Sequence, residues 1–155
     1  MGRTDTASRI VDASPERVFA AFVDPEALVQ WLPPSGMTGR FDHFEARAGG
    51  SYRMILTYVD DPVGSAKSSA DTDVVEGRFT EIVPGRRVVQ ENVFDSGDPA
   101  FSGTMIMSWT ALPVAGGTRV DIRADDVPVG ISPDDHVAGM NSSLDNLARY
   151  LATQS

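Results

Sequence analysis

Hydrophobic residues change their spacing twice along the chain, and these changes divide it into three segments. In the first segment, a polar, strand-compatible stretch at 4–13 precedes apolar residues three and four positions apart, which is the spacing of a helix face. Ser-Pro-Glu at 14–16 and Asp-Pro-Glu at 24–26 each combine a capping residue, a proline and an acid, as helix starts do. One strand and two short helices are therefore predicted before Pro-Pro-Ser-Gly at 33–36 ends the segment.

In the second segment the period falls to two, which is typical of strands with one covered face. Turns that contain glycine or proline separate most of the runs, while 60–72 is rich in small and polar residues and predicts a surface loop. Six antiparallel strands are predicted, at 40–47, 51–59, 74–83, 88–94, 103–113 and 118–124.

The third segment returns to the helical period and predicts one long C-terminal helix. Ser-Pro-Asp at 132–134 repeats the start signal, and an apolar stripe follows: Val137, Met140, Leu144, Leu147 and Leu151. Gly139 inside this helix costs roughly 1 kcal/mol relative to alanine, which indicates either a close backbone approach or room beneath the helix. Helices segregated from an antiparallel sheet define an α+β fold, expected here as a single domain over 1–155.

Composition and charge exclude several classes of function. Thirteen basic and twenty-two acidic residues give a formal net charge of −9, which repels phosphate backbones, so no nucleic acid partner is expected. The chain has no cysteine and only two histidines, His43 and His136, so no metal site is expected. No phosphate-binding loop is present, and we expect no cofactor. Without an N-terminal apolar run or eighteen consecutive apolar residues, the sequence predicts a cytoplasmic protein with no membrane span.

Several short motifs, in order along the chain, carry a family resemblance. They are Ala-Ser-Pro-Glu-Arg-Val-Phe at 13–19, Asp-Pro-Glu-Ala-Leu at 24–28 with Trp31, and the stretches at 49–53, 77–84, 116–120 and 136–151. Together they resemble the START/SRPBCC superfamily, in the branch similar to the activator of heat-shock protein 90 ATPase. The resemblance implies a helix-grip fold, in which a curved antiparallel sheet of about seven strands wraps around the C-terminal helix and encloses a cavity. It does not imply one activity, because members include lipid carriers, polyketide cyclases and co-chaperone domains.

Two departures from that branch bear on the cavity. Met140 stands where the branch commonly places tryptophan, and this flexible side chain leaves the cavity floor adjustable. Gln90 and Asn92 stand where the branch tends to place inward apolar residues, so two amides are expected to face the cavity. Buried amides need partners, which could be each other through water or the polar end of a ligand.

The candidate ligand-binding residues combine soft, aromatic and amide side chains, which suit an adaptable pocket as well as an ordinary core. His136, in the first turn of the last helix, could act as an acid or base, but the sequence fixes no carboxylate partner for it, so a surface role is favoured. The predicted set is Trp31, Tyr52, Met54, Gln90, Asn92, Met105, Met107, Trp109, His136 and Met140.

Three functions remain open at this point, and binding is favoured over catalysis. The first is a carrier or sensor of a small hydrophobic or amphipathic molecule. The second is a small enzyme of cyclase or hydrolase type that uses the same cavity with His136 as acid or base. The third, ranked last, is a co-chaperone-like protein with a chaperone ATPase as partner. A homodimer is left open, and no catalytic residue is assigned.

Overall fold

The computed structural model describes residues 3–34, 36–58 and 72–153. These ranges contain three helices, α1 (Pro15–Val23), α2 (Pro25–Trp31) and α3 (Pro133–Thr153), together with a short 3₁₀ turn at Pro99–Phe101. The strands are β1 (Arg3–Val11), β2 (Met37–Phe44), β3 (Ser51–Tyr58), β4 (Thr72–Val83), β5 (Arg87–Phe94), β6 (Met105–Val114) and β7 (Gly117–Val127). Of the loop expected at 60–72, only Thr72 lies among the described residues, and there it begins β4.

All seven strands form one antiparallel sheet in the order β1-β7-β6-β5-β4-β3-β2, with β1 and β2 at its edges. The register shifts between Arg3 and Asp5, between Phe41 and His43, and between Phe79 and Glu81, and such bulges increase the local twist of a sheet. This architecture confirms the predicted α+β helix-grip fold, with the two short helices after the first strand.

A capping side chain is present at each of the three predicted helix starts. Ser14 Oγ accepts a hydrogen bond from the Arg17 N–H at 3.2 Å, and Asp24 Oδ1 accepts one from the Glu26 N–H at 3.0 Å. At the start of α3, Ser132 Oγ accepts from the Asp135 N–H at 3.3 Å. Each bond satisfies one of the amides that a helix leaves unpaired at its first turn.

Several predicted strand bounds are wrong by two or three residues: β2 begins at 37 rather than 40, β6 begins at 105 rather than 103, and β7 ends at 127 rather than 124. The strand expected at 40–47 ends at Phe44, because 45–50 forms a wider turn than the expected two-glycine connection. In this turn the Arg47 N–H donates to the Glu45 carbonyl at 3.0 Å, and the Gly50 N–H donates to the Arg47 carbonyl at 2.8 Å. The alternation of hydrophobic residues contains no information about these backbone hydrogen bonds. It therefore could not predict the residue at which β2 ends.

The core is densely packed around the C-terminal half of α3. Leu144, Leu147 and Leu151 are buried there, and α3 contacts both β1 and α2. Ser143 Oγ donates to the Leu32 carbonyl at 2.6 Å and so satisfies a carbonyl just past the end of α2. Among the described residues, no helix is long and apolar enough to cross a membrane.

Candidate functional site

A pocket of about 570 Å³ lies between the N-terminal half of α3 and the inner face of the sheet. Its walls come from α3, from the strands β2 to β7, and from the segments just before β2, β6 and α3. The volume falls within the range of roughly 300–1,000 Å³ found for small-molecule sites. Most of the residues that line it are apolar, and methionines from β3, β6 and α3 contribute flexible surface.

Eight of the ten sequence-predicted residues line this pocket. They are Tyr52, Met54, Asn92, Met105, Met107, Trp109, His136 and Met140. The inward register of β5 brings Asn92 into the wall, as the amide pattern predicted.

Trp31 does not line the pocket. Its indole Nε1 donates to the Ala21 carbonyl at 2.9 Å, and its ring packs edge-on against Trp109 with the centroids 5.4 Å apart. Phe22 completes this cluster, 6.2 Å from Trp31 and 5.6 Å from Trp109. Trp31 therefore supports the wall residue Trp109 from behind.

Gln90 also lies outside the pocket. It is 1% exposed and faces a separate void of about 10 Å³, which shares Tyr52 and Trp109 with the pocket wall. Gln90 Nε2 and Trp109 Nε1 are both buried and have no hydrogen-bond partner among the described residues.

Tyr52 connects the two amides. Its hydroxyl lies within hydrogen-bond distance of Gln90 Oε1 and Asn92 Oδ1, and burial raises the pKa of Tyr52 well above its ordinary value, so the phenol stays protonated. The single hydroxyl proton can be donated to only one of these two oxygens. The other amide group must therefore be rotated so that its NH₂ donates to the phenol oxygen. If the Gln90 amide is the one that is rotated, its buried Nε2 donates to the Tyr52 oxygen. The Tyr52 hydroxyl then donates its proton to Asn92 Oδ1.

This arrangement leaves the Asn92 amide NH₂ available at the pocket wall. Asn92 is 6% exposed, and its Nδ2 makes no hydrogen bond to a described residue. A donor in a mainly apolar wall orients a ligand because it forms a hydrogen bond only with an acceptor, such as a carbonyl or ether oxygen.

The sequence did not identify Asp5 as part of the site, and Asp5 supplies the carboxylate that His136 lacked. His136 Nδ1 lies 2.7 Å from Asp5 Oδ2. Arg3 holds the same carboxylate from its other side, with Nη2 at 3.0 Å from Oδ2 and Nε at 3.2 Å from Oδ1. The bulge between Arg3 and Asp5 lies at this position in β1.

Burial alone would raise the pKa of Asp5, which is 7% exposed. The hydrogen bonds from Arg3 and His136, together with the positive charge of Arg3, outweigh this effect and hold the pKa of Asp5 below its ordinary value. A signal for Asp5 does exist in the sequence, because Ala7 and Val11 share its side of β1 at period two.

Gly139 lies in the pocket wall on α3. Apart from its chain neighbours and the backbone of its own helix, no heavy atom of a described residue lies within 4 Å of the position that a Cβ would take. Of the two reasons considered for this glycine, the structure supports room beneath the helix rather than a close backbone approach. Within the described part of the chain, no group of three or more His, Cys, Asp or Glu side chains could hold a metal ion.

Comparisons with known proteins agree on the family. Residues 12–152 match the family model described as Activator of Hsp90 ATPase homolog 1-like protein. A comparison with curated proteins finds no match.

Solved structures with the same fold are numerous. A crystal structure of a protein from Chromobacterium violaceum is 34% identical, with a TM-score of 0.83 and 94% of each chain covered. A solution structure of an AHSA1-like protein from Aeromonas hydrophila is 20% identical, with a TM-score of 0.72 and coverage of 98% of this chain and 94% of that one. DynU16, a protein of the dynemicin biosynthetic locus, is 22% identical over 98% of this chain and 48% of its own, with a TM-score of 0.69. At these identities the last two support the fold alone.

Proposed function

Because the chain belongs to the Activator of Hsp90 ATPase homolog 1-like family, within the START/SRPBCC superfamily, we propose that it binds a small hydrophobic or amphipathic molecule as a carrier or sensor. The observation that carries this proposal is the pocket of about 570 Å³, whose mainly apolar wall contains the unpaired Asn92 donor. A densely packed core would have no such space, because protein interiors rarely leave voids much larger than a water molecule.

The residues around the pocket support binding in two ways. The methionine side chains adapt to different ligand shapes, since each has three rotatable bonds and a polarizable sulfur. Gly139 keeps space open at a helix position where almost any other residue would fill it. A glycine there lowers helix stability by roughly 1 kcal/mol relative to alanine, and a ligand site would explain its presence. The cytoplasmic location stays a prediction.

Filling the pocket from α3 tests the proposal without weakening the fold. Gly139→Leu places a side chain into the open space and also removes a helix-destabilising glycine, so a loss of binding would not reflect unfolding. Ala138→Leu, at the neighbouring exposed position of α3, is the matched control. We expect binding of the neutral dye Nile red, measured by fluorescence titration, to weaken at least roughly tenfold in Gly139→Leu only. Equal affinity in both variants would contradict binding in this pocket.

The Arg3, Asp5 and His136 group favours a second candidate function, a small enzyme of cyclase or hydrolase type. A histidine oriented by a carboxylate can accept and return a proton, and His136 lies in the pocket wall. In this case a substrate would be turned over in the pocket, and His136→Ala would abolish turnover while Nile red binding persisted. Turnover that survives His136→Ala would exclude this role.

The family description raises a third candidate, interaction with a chaperone ATPase. No feature of the described surface carries it, so we rank it below the first two. A pull-down in which the Gly139→Leu variant still enriches a chaperone ATPase would reverse this order, because such binding would be independent of the pocket.

A further inference from the structure

We infer that the ligand is a neutral hydroxylated molecule with an apolar body, whose O–H donates to His136 Nε2. This inference rests on the proposed binding function and names the class of ligand for the same pocket.

The Asp5 carboxylate determines which ring nitrogen of His136 carries the proton. Nδ1 lies 2.7 Å from the Asp5 carboxylate, which accepts hydrogen bonds and has no proton to donate when ionised. Nδ1 therefore carries the proton, and in the neutral ring Nε2 is left with a lone pair. Nε2 makes no hydrogen bond to a described residue, and the His136 side chain is 15% exposed in the pocket wall. The wall thus offers a hydrogen-bond acceptor at this point.

The charged side chains that line the pocket disfavour an anionic ligand. The described residues that line the pocket include two carboxylates, Asp73 and Asp135, and no lysine or arginine. Asp73 accepts a hydrogen bond from the Tyr58 hydroxyl at 3.2 Å. Arg3, which shares the Asp5 carboxylate with His136, is already paired with Asp5. An anionic ligand would find no cation among the described lining residues, so a neutral donor fits better than a carboxylate.

The two polar groups, His136 and Asn92, lie several strands apart across the sheet. His136 is held beside β1 through Asp5, whereas Asn92 lies on β5, and β7 and β6 lie between these strands. Three strand spacings of roughly 4.8 Å give about 14 Å along a flat sheet, and the concave face shortens this span. The wall between the two groups is apolar and includes Met105, Met107 and Ile122. A ligand that reaches both would have a hydroxyl at one end, an acceptor oxygen at the other and an apolar body between them.

Three probes of similar size test the hydroxyl end. Naphthol offers an O–H donor, methoxynaphthalene has the same ring without the donor, and naphthoate replaces the donor with an anion. Binding is measured by calorimetry at one neutral pH for all three probes. We expect the wild type to bind naphthol roughly tenfold more tightly than methoxynaphthalene, and naphthoate most weakly.

Two variants assign this preference to His136. His136→Phe keeps a ring in the wall without the acceptor, so naphthol and methoxynaphthalene should bind it equally. His43→Phe is the matched control, because His43 lies exposed on β2 beside Ser51 and outside the pocket lining. It should keep the wild-type preference.

A spectroscopic measurement on the wild type does not depend on the folding of a variant. The ¹⁵N chemical shift of His136 Nε2 should move on addition of naphthol and stay unchanged with methoxynaphthalene. No such shift, equal affinity of the wild type for both probes, or tightest binding of naphthoate would each overturn the inference while leaving pocket binding intact. If no probe bound, and Nile red also bound Gly139→Leu as it binds the wild type, the proposed function itself would fail.

Discussion

At the scale of single residues, the pocket wall depends on close steric fits that only particular side chains allow. Tyr52 lies across Gly77, and the two residues are paired between β3 and β4. A Cβ added at Gly77 would lie 2.1 Å from Cζ of the tyrosine ring. The glycine therefore allows the phenol to reach Gln90 and Asn92.

Gly77→Ala should destabilise the protein by about 2–4 kcal/mol, because Tyr52 must move and give up its buried hydrogen bonds. Gly97→Ala is the control, since no heavy atom of a described residue other than its chain neighbours lies within 4 Å of its Cβ position. Urea unfolding should show a clear loss for the first variant and almost none for the second. A Gly77→Ala variant as stable as Gly97→Ala would show that Tyr52 moves without cost.

Asp5→Asn should lower stability at neutral pH by about 2 kcal/mol, the scale of hydrogen bonds to a charged group. The folded-state pKa of Asp5 is depressed, so its stabilisation is complete above the unfolded-state value near 3.8 and is lost as pH falls through the lower folded-state value. The difference between wild type and variant should therefore shrink below about pH 4. Urea unfolding at both pH values measures it.

Asp145→Asn provides a comparison for this prediction. Asp145 pairs with Arg9, but both side chains are about half exposed, at 52% and 44%. Exposed ion pairs contribute about 0–1 kcal/mol. If Asp5→Asn had no larger effect than Asp145→Asn, or if its effect did not diminish in acid, Asp5 would not be held ionised by Arg3 and His136.

At the scale of secondary-structure elements, α3 has two halves with different roles. The C-terminal half packs through Leu144, Leu147 and Leu151, while Gly139 and Met140 in the N-terminal half line the pocket. The start signals and the apolar stripe predicted this helix because capping and helical periodicity are local properties. The pocket was harder to predict, because Met140 belongs to the same stripe as the packed leucines.

Gly139→Ala should raise the free energy of unfolding by about 1 kcal/mol, since a methyl group fits into open space and alanine is the better helix former. The reverse change at the adjacent position, Ala138→Gly, should lower it by a similar amount. Thermal and urea unfolding of both variants provide the measurement. A loss of stability in Gly139→Ala would mean that the position is closely packed, which would remove the space proposed for a ligand.

At the scale of the whole molecule, the sheet order assembles the polar groups from distant parts of the chain. Asp5 and His136 are 131 positions apart in sequence, and Tyr52 and Gln90 are 38 apart. The sequence predicted the strands, their inward faces and eight of the residues that line the pocket, because alternation along each strand is local. It missed the Asp5 pairing because the placement of α3 against β1 depends on the complete sheet. Trp31 and Gln90 were assigned to the pocket because periodicity identifies inward positions without distinguishing a filled core from an open wall.

Ligand binding should stabilise the folded molecule as a whole if the pocket is open in the native state. At a naphthol concentration about one hundred times Kd, the free energy of unfolding should rise by about 2.7 kcal/mol, which corresponds to an increase in Tm of roughly 5–10 °C for a domain of this size. Gly139→Leu should show no increase, because its side chain occupies the same space, whereas Ala138→Leu should respond like the wild type. Differential scanning calorimetry distinguishes these outcomes. An equal increase in all three proteins would place the binding outside the space beneath α3, since a ligand stabilises the native state only through contacts that this state makes.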